Sequence, residues 1–250
     1  KDYKKAFEWY TKSANGGYIY AYNYLANMYY MGKGTNQNYK KASEWLEKSA
    51  NEGNTKAQNK LGQMYYFGDD IEKDYKKAFE WYTKSANGGN INAQITLANL
   101  YYYGEGINQD YKKAFEWFEK SANEGNIYAQ NRLGCMYYNG EGTEKNYIKA
   151  FEWYEKSANG GNAKAQANLG MMYYYGIGSE KNLKKAFEWY TKSANGGNTA
   201  AQNNLGLMYY HGEGTKKDLK MAFEYYEKSA IGGNVAAQNN LGLMYYDGKG

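Results

Sequence analysis

The apolar positions of this chain follow the period of an α-helix, and the pattern restarts every 36 residues. In the first copy, one helical face collects the apolar and small side chains, namely Tyr3, Ala6, Phe7, Tyr10, Ser13 and Ala14, with Trp9 on its edge. An Asp or Asn precedes this stretch in every copy, beginning with Asp2, and Gly16 and Gly17 follow it. These residues predict a capped amphipathic helix. We call it the KAFEW helix, after residues 5–9.

The polar face of the KAFEW helix has its own regularity. Glu8 stands four residues before Lys12, and every copy keeps this pair. The spacing predicts an exposed ion pair worth roughly 0.2–0.5 kcal/mol. All six tryptophans occupy the position of Trp9, which predicts that they pack between helices rather than stack on a ligand.

A second helix is predicted in each copy. In the first copy Ala21, Leu25 and Met28 face inward, and the helix ends at Gly32. Most copies place a Leu-Gly pair here, so we call it the LG helix. Six copies carry an asparagine at its expected N-cap: Asn54, Asn90, Asn126, Asn162, Asn198 and Asn234. A small residue after the leucine, Ala26 in the first copy, predicts the close approach of another helix.

One helical hairpin is too thin to bury its own apolar stripe, so neighbouring copies must stack. The sequence therefore predicts an all-α fold, an α/α superhelix (solenoid) of seven 36-residue hairpins in a single domain, 1–250. The copies span about 3–38, 39–74, 75–110, 111–146, 147–182, 183–218 and 219–250. The chain lacks an initiator methionine and begins and ends at repeat boundaries, which predicts a segment of a longer protein.

The repeat has a recognisable signature, A-x-x-x-L-G-x-M-Y-Y-x-G-x-G followed by D/N-x-x-K-A-x-x-W-Y-x-K-S-A-x-x-G. Residues 201–233 carry it almost in full. This signature resembles the Sel-1-like repeat family, which is similar to tetratricopeptide repeats and has bacterial members at the host interface. The resemblance implies a right-handed α-solenoid that serves as a scaffold for protein complexes. Secreted members of the family carry paired cysteines in each repeat, and their lack here favours a cytoplasmic location.

Composition offers little catalytic chemistry. The net charge of +5 comes from lysines spread evenly through the copies, with Arg132 as the only arginine, and no nucleic-acid motif accompanies it. Cys135 and His211 are the only residues of their kinds, so no disulfide framework, His cluster or multi-cysteine metal site is expected. We predict no enzyme, no metal, no cofactor, no nucleic-acid binding and no membrane insertion.

Variation between copies gathers on one face of the LG helix. We call equivalent positions 36 residues apart a column and name it by its first-copy number. Columns 20, 23, 27 and 31 vary and, with Tyr30, point away from Leu25. The resemblance implies that the LG helices line the concave side of the solenoid. We therefore predict that these columns form the floor of a groove that binds an extended peptide or a partner helix.

Three columns supply the candidate groove residues. Column 23 offers side-chain amides that could hold a peptide backbone, at Asn23, Asn59, Asn131, Asn203 and Asn239. The alternative is that these asparagines reflect a genome rich in Asn, Lys and Tyr codons. Column 30 predicts an aromatic wall of Tyr30, Tyr66, Tyr102, Tyr138, Tyr174 and Tyr210. Column 27 changes from Asn27 and Gln63 to Met171, Leu207 and Leu243, which predicts apolar anchors in the C-terminal half.

These features favour a non-enzymatic protein–protein interaction scaffold whose groove holds a peptide or a segment of a partner protein. The alternative is a structural spacer, or a repeat array for host or surface interaction, without a dedicated peptide ligand. The last copy keeps the apolar residues Ala237, Leu241, Met244 and Tyr245, and no polar capping repeat follows it. This predicts weak end-to-end self-association.

Overall fold

The structure, a computed structural model, describes residues 1–68 and 71–249, and its regular elements are all α-helices. The helices are α1 (Tyr3–Asn15), α2 (Ile19–Met31), α3 (Tyr39–Asn51), α4 (Thr55–Phe67), α5 (Tyr75–Asn87), α6 (Ile91–Tyr103), α7 (Tyr111–Asn123), α8 (Ile127–Asn139), α9 (Tyr147–Asn159), α10 (Ala163–Tyr175), α11 (Leu183–Asn195), α12 (Thr199–His211), α13 (Leu219–Ile231) and α14 (Val235–Tyr246). Odd-numbered helices are the KAFEW helices and even-numbered ones the LG helices. Two helices per copy are confirmed.

The predicted caps explain where the helices begin. Asn38 accepts a hydrogen bond from the backbone N–H of Lys41 at 2.8 Å, and Asn54 accepts one from Ala57 at 3.1 Å. Tyr18 makes no such side-chain bond at the start of α2. The LG helices from α2 to α12 end at a glycine in the left-handed region, such as Gly32 with φ 64°.

The chain forms two compact units, Lys1–Ser121 and Ala122–Gly250. The LG helices α2, α4, α10 and α12 each pack more extensively against the KAFEW helix that follows than against the one that precedes. The closest helix pair therefore crosses the predicted copy boundary, as in α2 with α3 and α12 with α13. This pairing explains why the small residue after the leucine recurs, because it faces the next KAFEW helix.

The core of each unit follows the predicted inward face of the LG helices. Leu25, Leu61 and Leu205 are fully buried. Hydrogen bonds between side chains and backbone join the helices around this core: Ser229 Oγ donates to the carbonyl of Thr199 at 2.7 Å.

The first residue of the apolar face of the KAFEW helix is less buried than predicted. Tyr3 and its equivalents Tyr75, Tyr111 and Tyr147 are 37–42% exposed.

The predicted Glu–Lys ion pairs do not form among the residues described. The ammonium group of this lysine instead lies over the aromatic ring three residues earlier, in all seven KAFEW helices. Lys192 Nζ is 4.0 Å from the ring centroid of Trp189. A cation–ring contact contributes roughly 0.5–1 kcal/mol at an exposed site, more than an exposed helical ion pair. Trp45 packs against Tyr22 of the preceding helix, as predicted, whereas Trp9 in the first helix is 66% exposed.

Candidate functional site

The exposed face of the LG helices consists of columns 20, 24, 27 and 31. On α12 this stripe is Ala200, Asn204, Leu207 and His211, each exposed or half-exposed. Steps of four, three and four residues keep one helical direction. Asn203, which belongs to the predicted column 23, is only 7% exposed. Column 23 therefore lies at the edge of the stripe, toward a neighbouring LG helix.

Two asparagines of column 23 join neighbouring LG helices in the second unit. Asn131 accepts a hydrogen bond from Asn168 Nδ2 at 3.2 Å, which links α8 to α10. Asn203 accepts one from Asn240 Nδ2 at 3.0 Å, which links α12 to α14. Asn23 and Asn59 are half-buried and Asn239 is exposed. Asn131 and Asn203 thus join neighbouring helices, which explains an asparagine inside a helix at these two positions. Ligand binding by column 23 stays a prediction.

Asn59 lacks the partner that the other two possess. Its Oδ1 is buried without a hydrogen bond. The residue in the position of Asn168 and Asn240 is Thr96 on α6, whose hydroxyl donates to the carbonyl of Asn92 in its own helix at 2.9 Å. A buried acceptor without a donor costs about 1–3 kcal/mol.

Replacing Thr96 by asparagine is therefore expected to stabilise the first unit by about 1 kcal/mol, because the new amide can donate to Asn59 Oδ1. Urea unfolding followed by circular dichroism measures the change. Threonine and asparagine have similar helix propensities, so propensity alone predicts almost no gain. The control is the same substitution combined with Asn59→Ala. An equal gain in both backgrounds would show that the amide pair is not its source.

The tyrosines of column 30 form an aromatic wall, and charged residues engage the hydroxyl groups of three of them. Tyr174 donates to Glu213 Oε2 at 2.6 Å, and Tyr66 bonds to Glu105, in each case a loop residue of the following copy. These bonds to carboxylates raise the pKa of both tyrosines to about 12, so both stay protonated at neutral pH. Tyr210 accepts a hydrogen bond from the Lys249 ammonium at 2.9 Å.

The remaining members of the wall make ring contacts. Tyr30, Tyr102 and Tyr138 each meet the first tyrosine of the next KAFEW helix, with ring centroids 5.0–5.1 Å apart. All six rings are half-exposed beside the stripe. The wall therefore presents ring edges and faces to solvent, while its hydroxyls largely join one copy to the next.

Two equivalent cavities open between successive LG helices of the second unit. The first, about 140 Å³ between α10 and α12, is lined by Met171, Tyr174, Tyr175, Tyr190, Asn204, Leu207 and Met208. The second, about 230 Å³ between α12 and α14, is lined by Leu207, Tyr210, His211, Tyr226, Asn240, Leu243, Met244 and Asp247. Seven lining positions correspond at a displacement of 36 residues. The three predicted apolar anchors line these cavities, and Leu207 is shared by both.

The floor of each cavity was not predicted. Tyr190 and Tyr226 belong to KAFEW helices, yet they reach between two LG helices and are 3% and 2% exposed. Burial raises the pKa of Tyr226 to about 12, so its hydroxyl is neutral and can donate a hydrogen bond. The amides in the cavities are Asn204 and Asn240 of column 24 rather than those of column 23.

The residues considered for catalysis have packing environments. Cys135 is half-buried, and its sulfur is 4.0 Å from Asn168 Nδ2 and near the Tyr154 hydroxyl. The His211 ring lies against Tyr210 on the exposed stripe, with centroids 5.1 Å apart. In the described part of the chain, no three His, Cys, Asp or Glu side chains are placed to hold a metal ion. No helix there combines the length and apolarity needed to cross a bilayer.

Solved structures show the same arrangement. A protective antigen of uropathogenic Escherichia coli with an SLR fold is 34% identical, with a TM-score of 0.90 over 97% of this chain. This chain spans 52% of that protein's length. A Sel1 repeat protein from Oxalobacter formigenes is 32% identical, with a TM-score of 0.76 over 91% of this chain and 89% of its own. These likenesses confirm the predicted fold class, an all-α solenoid of helical repeats.

Sequence comparison gives the family. No curated protein matches the chain. The Sel1 repeat family model matches residues 1–18, 19–54, 55–90, 91–126, 127–162, 163–198, 199–234 and 235–250. Its unit begins with the LG helix and ends with the next KAFEW helix, the pair that packs most extensively here. The chain belongs to the Sel1 repeat family.

Proposed function

We propose that the second unit of this scaffold holds an extended peptide segment of a partner protein across the exposed faces of α10, α12 and α14. Sel1 repeat proteins are generally non-enzymatic scaffolds for protein–protein interaction. The observation that best supports a peptide ligand is the pair of equivalent cavities, which share Leu207. Two cavities related by one repeat suit a ligand that is itself regular, as an extended chain is.

The spacing of the cavities defines the ligand. The side-chain bond between Asn203 and Asn240 shows that α12 and α14 are neighbours, and neighbouring helices lie about 8–10 Å apart. A polyproline II strand advances about 3.1 Å per residue with three residues per turn, so residues i and i+3 share a face about 9 Å apart. A peptide with two apolar side chains three positions apart would fill both cavities.

The two units differ in what column 27 offers such a ligand. The second unit has Met171, Leu207 and Leu243, whereas the first has Asn27 and Gln63. Burying one aliphatic side chain contributes about 1.5–3 kcal/mol, against about 0.5–1.5 kcal/mol for a net hydrogen bond. The second unit should therefore dominate affinity.

Selection of phage-displayed random dodecapeptides on the chain tests this site. The expected result is enrichment of peptides with two apolar residues three positions apart. Leu207→Asn is then expected to weaken the best synthetic peptide by about tenfold or more in a fluorescence anisotropy titration, because one substitution damages both cavities.

Two variants serve as controls. Leu207→Met conserves apolar volume and should keep the affinity within a few-fold. Ile231→Asn makes the same change from an apolar residue to an amide at the end of α13, where the side chain is 82% exposed and outside both cavities, and should have no effect. A selected peptide that binds the Leu207→Asn variant unchanged would contradict the site. Failure to enrich any sequence would favour the structural spacer.

A further inference from the structure

Tyr174 and Tyr210 line equivalent positions of the two cavities, yet their hydroxyl groups have opposite hydrogen-bonding roles. In the cavity between α10 and α12, the Tyr174 hydroxyl donates to Glu213 Oε2 at 2.6 Å. In the cavity between α12 and α14, the Tyr210 hydroxyl accepts a hydrogen bond from Lys249 Nζ at 2.9 Å. A phenol has one proton to donate and lone pairs that accept. Tyr174 therefore offers a ligand only an acceptor, whereas Tyr210 also offers its O–H, which no acceptor contacts in the described part of the chain.

Column 33, in the loop after each LG helix, determines this difference. Glu213 and Lys249 occupy the same column, one copy apart. Ile177 occupies it in the copy that follows Tyr138, and it has no polar group for a tyrosine to bond. The Tyr138 hydroxyl lies instead 3.9 Å from the sulfur of Met171. A change of residue in column 33 thus changes the partner of the tyrosine in column 30.

The charged groups around Tyr174 balance one another. The Glu213 carboxylate accepts the hydrogen bond from the hydroxyl, and the Lys181 ammonium lies 5.9 Å from the ring centroid. One carboxylate and one ammonium group leave no net charge beside this tyrosine. The carboxylate is the group in contact with the hydroxyl, so the hydrogen-bonding atoms on this side of the cavity are acceptors.

The surroundings of Tyr210 are cationic. The ammonium groups of Lys249 and Lys217 lie 5.4 Å and 5.7 Å from its ring centroid. The Asp247 carboxylate accepts a hydrogen bond from Lys249 at 2.8 Å, and the His211 ring that also contacts Tyr210 is neutral in the formal charge count. Two ammonium groups and one carboxylate leave a formal charge of +1. The charge and the available O–H therefore favour the same kind of ligand atom, an anionic acceptor.

We infer that column 33 determines the charge preference of each cavity. This inference rests on the proposed function for its peptide ligand. The cavity between α10 and α12 takes an apolar side chain that lies beside an ammonium or N–H group, because Glu213 and Tyr174 can accept hydrogen bonds from it. The cavity between α12 and α14 takes an apolar side chain that lies beside a carboxylate, because Tyr210 and Lys249 can donate to it. The partner segment thus carries a basic residue next to one apolar residue and an acidic residue next to the other, and this charge order fixes the direction in which it binds.

Two small probes of similar shape test the cavities directly. Phenethylammonium and phenylacetate share a phenyl ring and a methylene group, and their charges have opposite signs. Methyl NMR titrations follow Met171 in the cavity between α10 and α12 and Met244 in the cavity between α12 and α14. The affinity ratio of phenethylammonium to phenylacetate should be about three- to tenfold higher at Met171 than at Met244, as expected for partly exposed charges. The difference should shrink in about 0.5 M salt, because salt screens exposed charges.

Substitutions in column 33 assign the preference. Glu213→Gln should lower the ratio at Met171 and leave the ratio at Met244 unchanged. The exchange variant, Glu213→Lys with Lys249→Glu, keeps the composition and the net charge of the chain, and it should invert the order of the two cavities. Tyr210→Phe should weaken phenylacetate at Met244, because the O–H that donates to the carboxylate is lost.

Glu188→Lys is the control for a general effect of charge. Glu188 is exposed on α11 and lines neither cavity. Its replacement by lysine changes the net charge as much as Glu213→Lys does. Because exposed charges away from the ligand are screened, both ratios should stay within about twofold of those of the unmodified chain.

Equal ratios at Met171 and Met244 would overturn the inference. So would an order of the two cavities that survives the exchange variant, or binding of neither probe. The probes need no peptide, so a failed peptide selection beside the expected probe order would contradict the proposed function and leave the charge assignment standing. Enriched peptides that carry two apolar residues but no preferred charge beside either of them would do the reverse.

Discussion

Replacing Gly214 by alanine is expected to destabilise the second unit by about 2–5 kcal/mol. Gly214 lies in the loop after α12 at φ 70°, where an L-residue costs roughly 1–2 kcal/mol. A Cβ there would lie 2.2 Å from the carbonyl oxygen of Leu183, the first residue of α11. Overpacking of this kind typically costs about 1–3 kcal/mol, and a backbone atom of a capped helix cannot rotate away.

Gly197→Ala separates the two contributions. Gly197 has φ 81°, but nothing lies within 4 Å of a Cβ built on it. Replacing Gly197 by alanine should lower the free energy of unfolding by roughly 1–2 kcal/mol, the cost of an L-residue in the left-handed region. Urea unfolding followed by circular dichroism compares the two variants. Equal losses would show that the loop does not press against α11, and that the repeat could accept any residue tolerant of the left-handed region.

The helices and their ends were predictable because their causes lie close together in the sequence. A cap such as Asn38 bonds a backbone group three residues away, and the apolar period of each LG helix appears within its own twelve or thirteen residues. The stacking of copies followed from the thinness of one hairpin. Each of these steps needs only short-range spacing and the requirement that apolar faces be buried.

Parts of the site depend on contacts that spacing does not determine. Columns 23 and 24 are consecutive in sequence and about 100° apart on the helical wheel, and which one is exposed depends on the side from which the next LG helix approaches. The lysine of the Glu8–Lys12 pair lies three residues after Trp9 and four after Glu8, so its spacing suits both partners. The sequence pattern placed Tyr10 on the apolar face of the KAFEW helix, but Tyr190 in the same column forms the floor of a cavity between two LG helices.

One sequence signal does point to the floor tyrosines. When column 26, which follows the leucine of the LG helix, holds glycine, the residue twenty positions later is tyrosine: Gly62 with Tyr82, Gly134 with Tyr154, Gly170 with Tyr190 and Gly206 with Tyr226. Where the column holds alanine, the later residue is Leu46 or Phe118. The structure gives the reason, because a Cβ added to Gly206 would lie 2.5 Å from Cδ1 of Tyr226.

Gly206→Ala is accordingly expected to destabilise the second unit by about 1–3 kcal/mol through overpacking against Tyr226. A loss of stability would be informative, because replacing glycine by alanine inside a helix ordinarily stabilises a protein by roughly 0.5–1 kcal/mol. Gly242→Ala provides the matched control in the same column. Nothing lies within 4 Å of its Cβ, so this substitution should stabilise the chain. Differential scanning calorimetry of both variants should show shifts of opposite sign.

The pairing also predicts a rescue. Ala26 and Leu46 share one buried cluster, so alanine against leucine is an arrangement that this fold already contains. In the variant Gly206→Ala with Tyr226→Leu, the new methyl group occupies space that the ring vacates. The loss should therefore be smaller than the sum of the two single losses, by about 1 kcal/mol or more. Strict additivity would mean that Gly206 does not accommodate the tyrosine ring. The glycines of this column would then need another explanation than the seating of a tyrosine at each cavity floor.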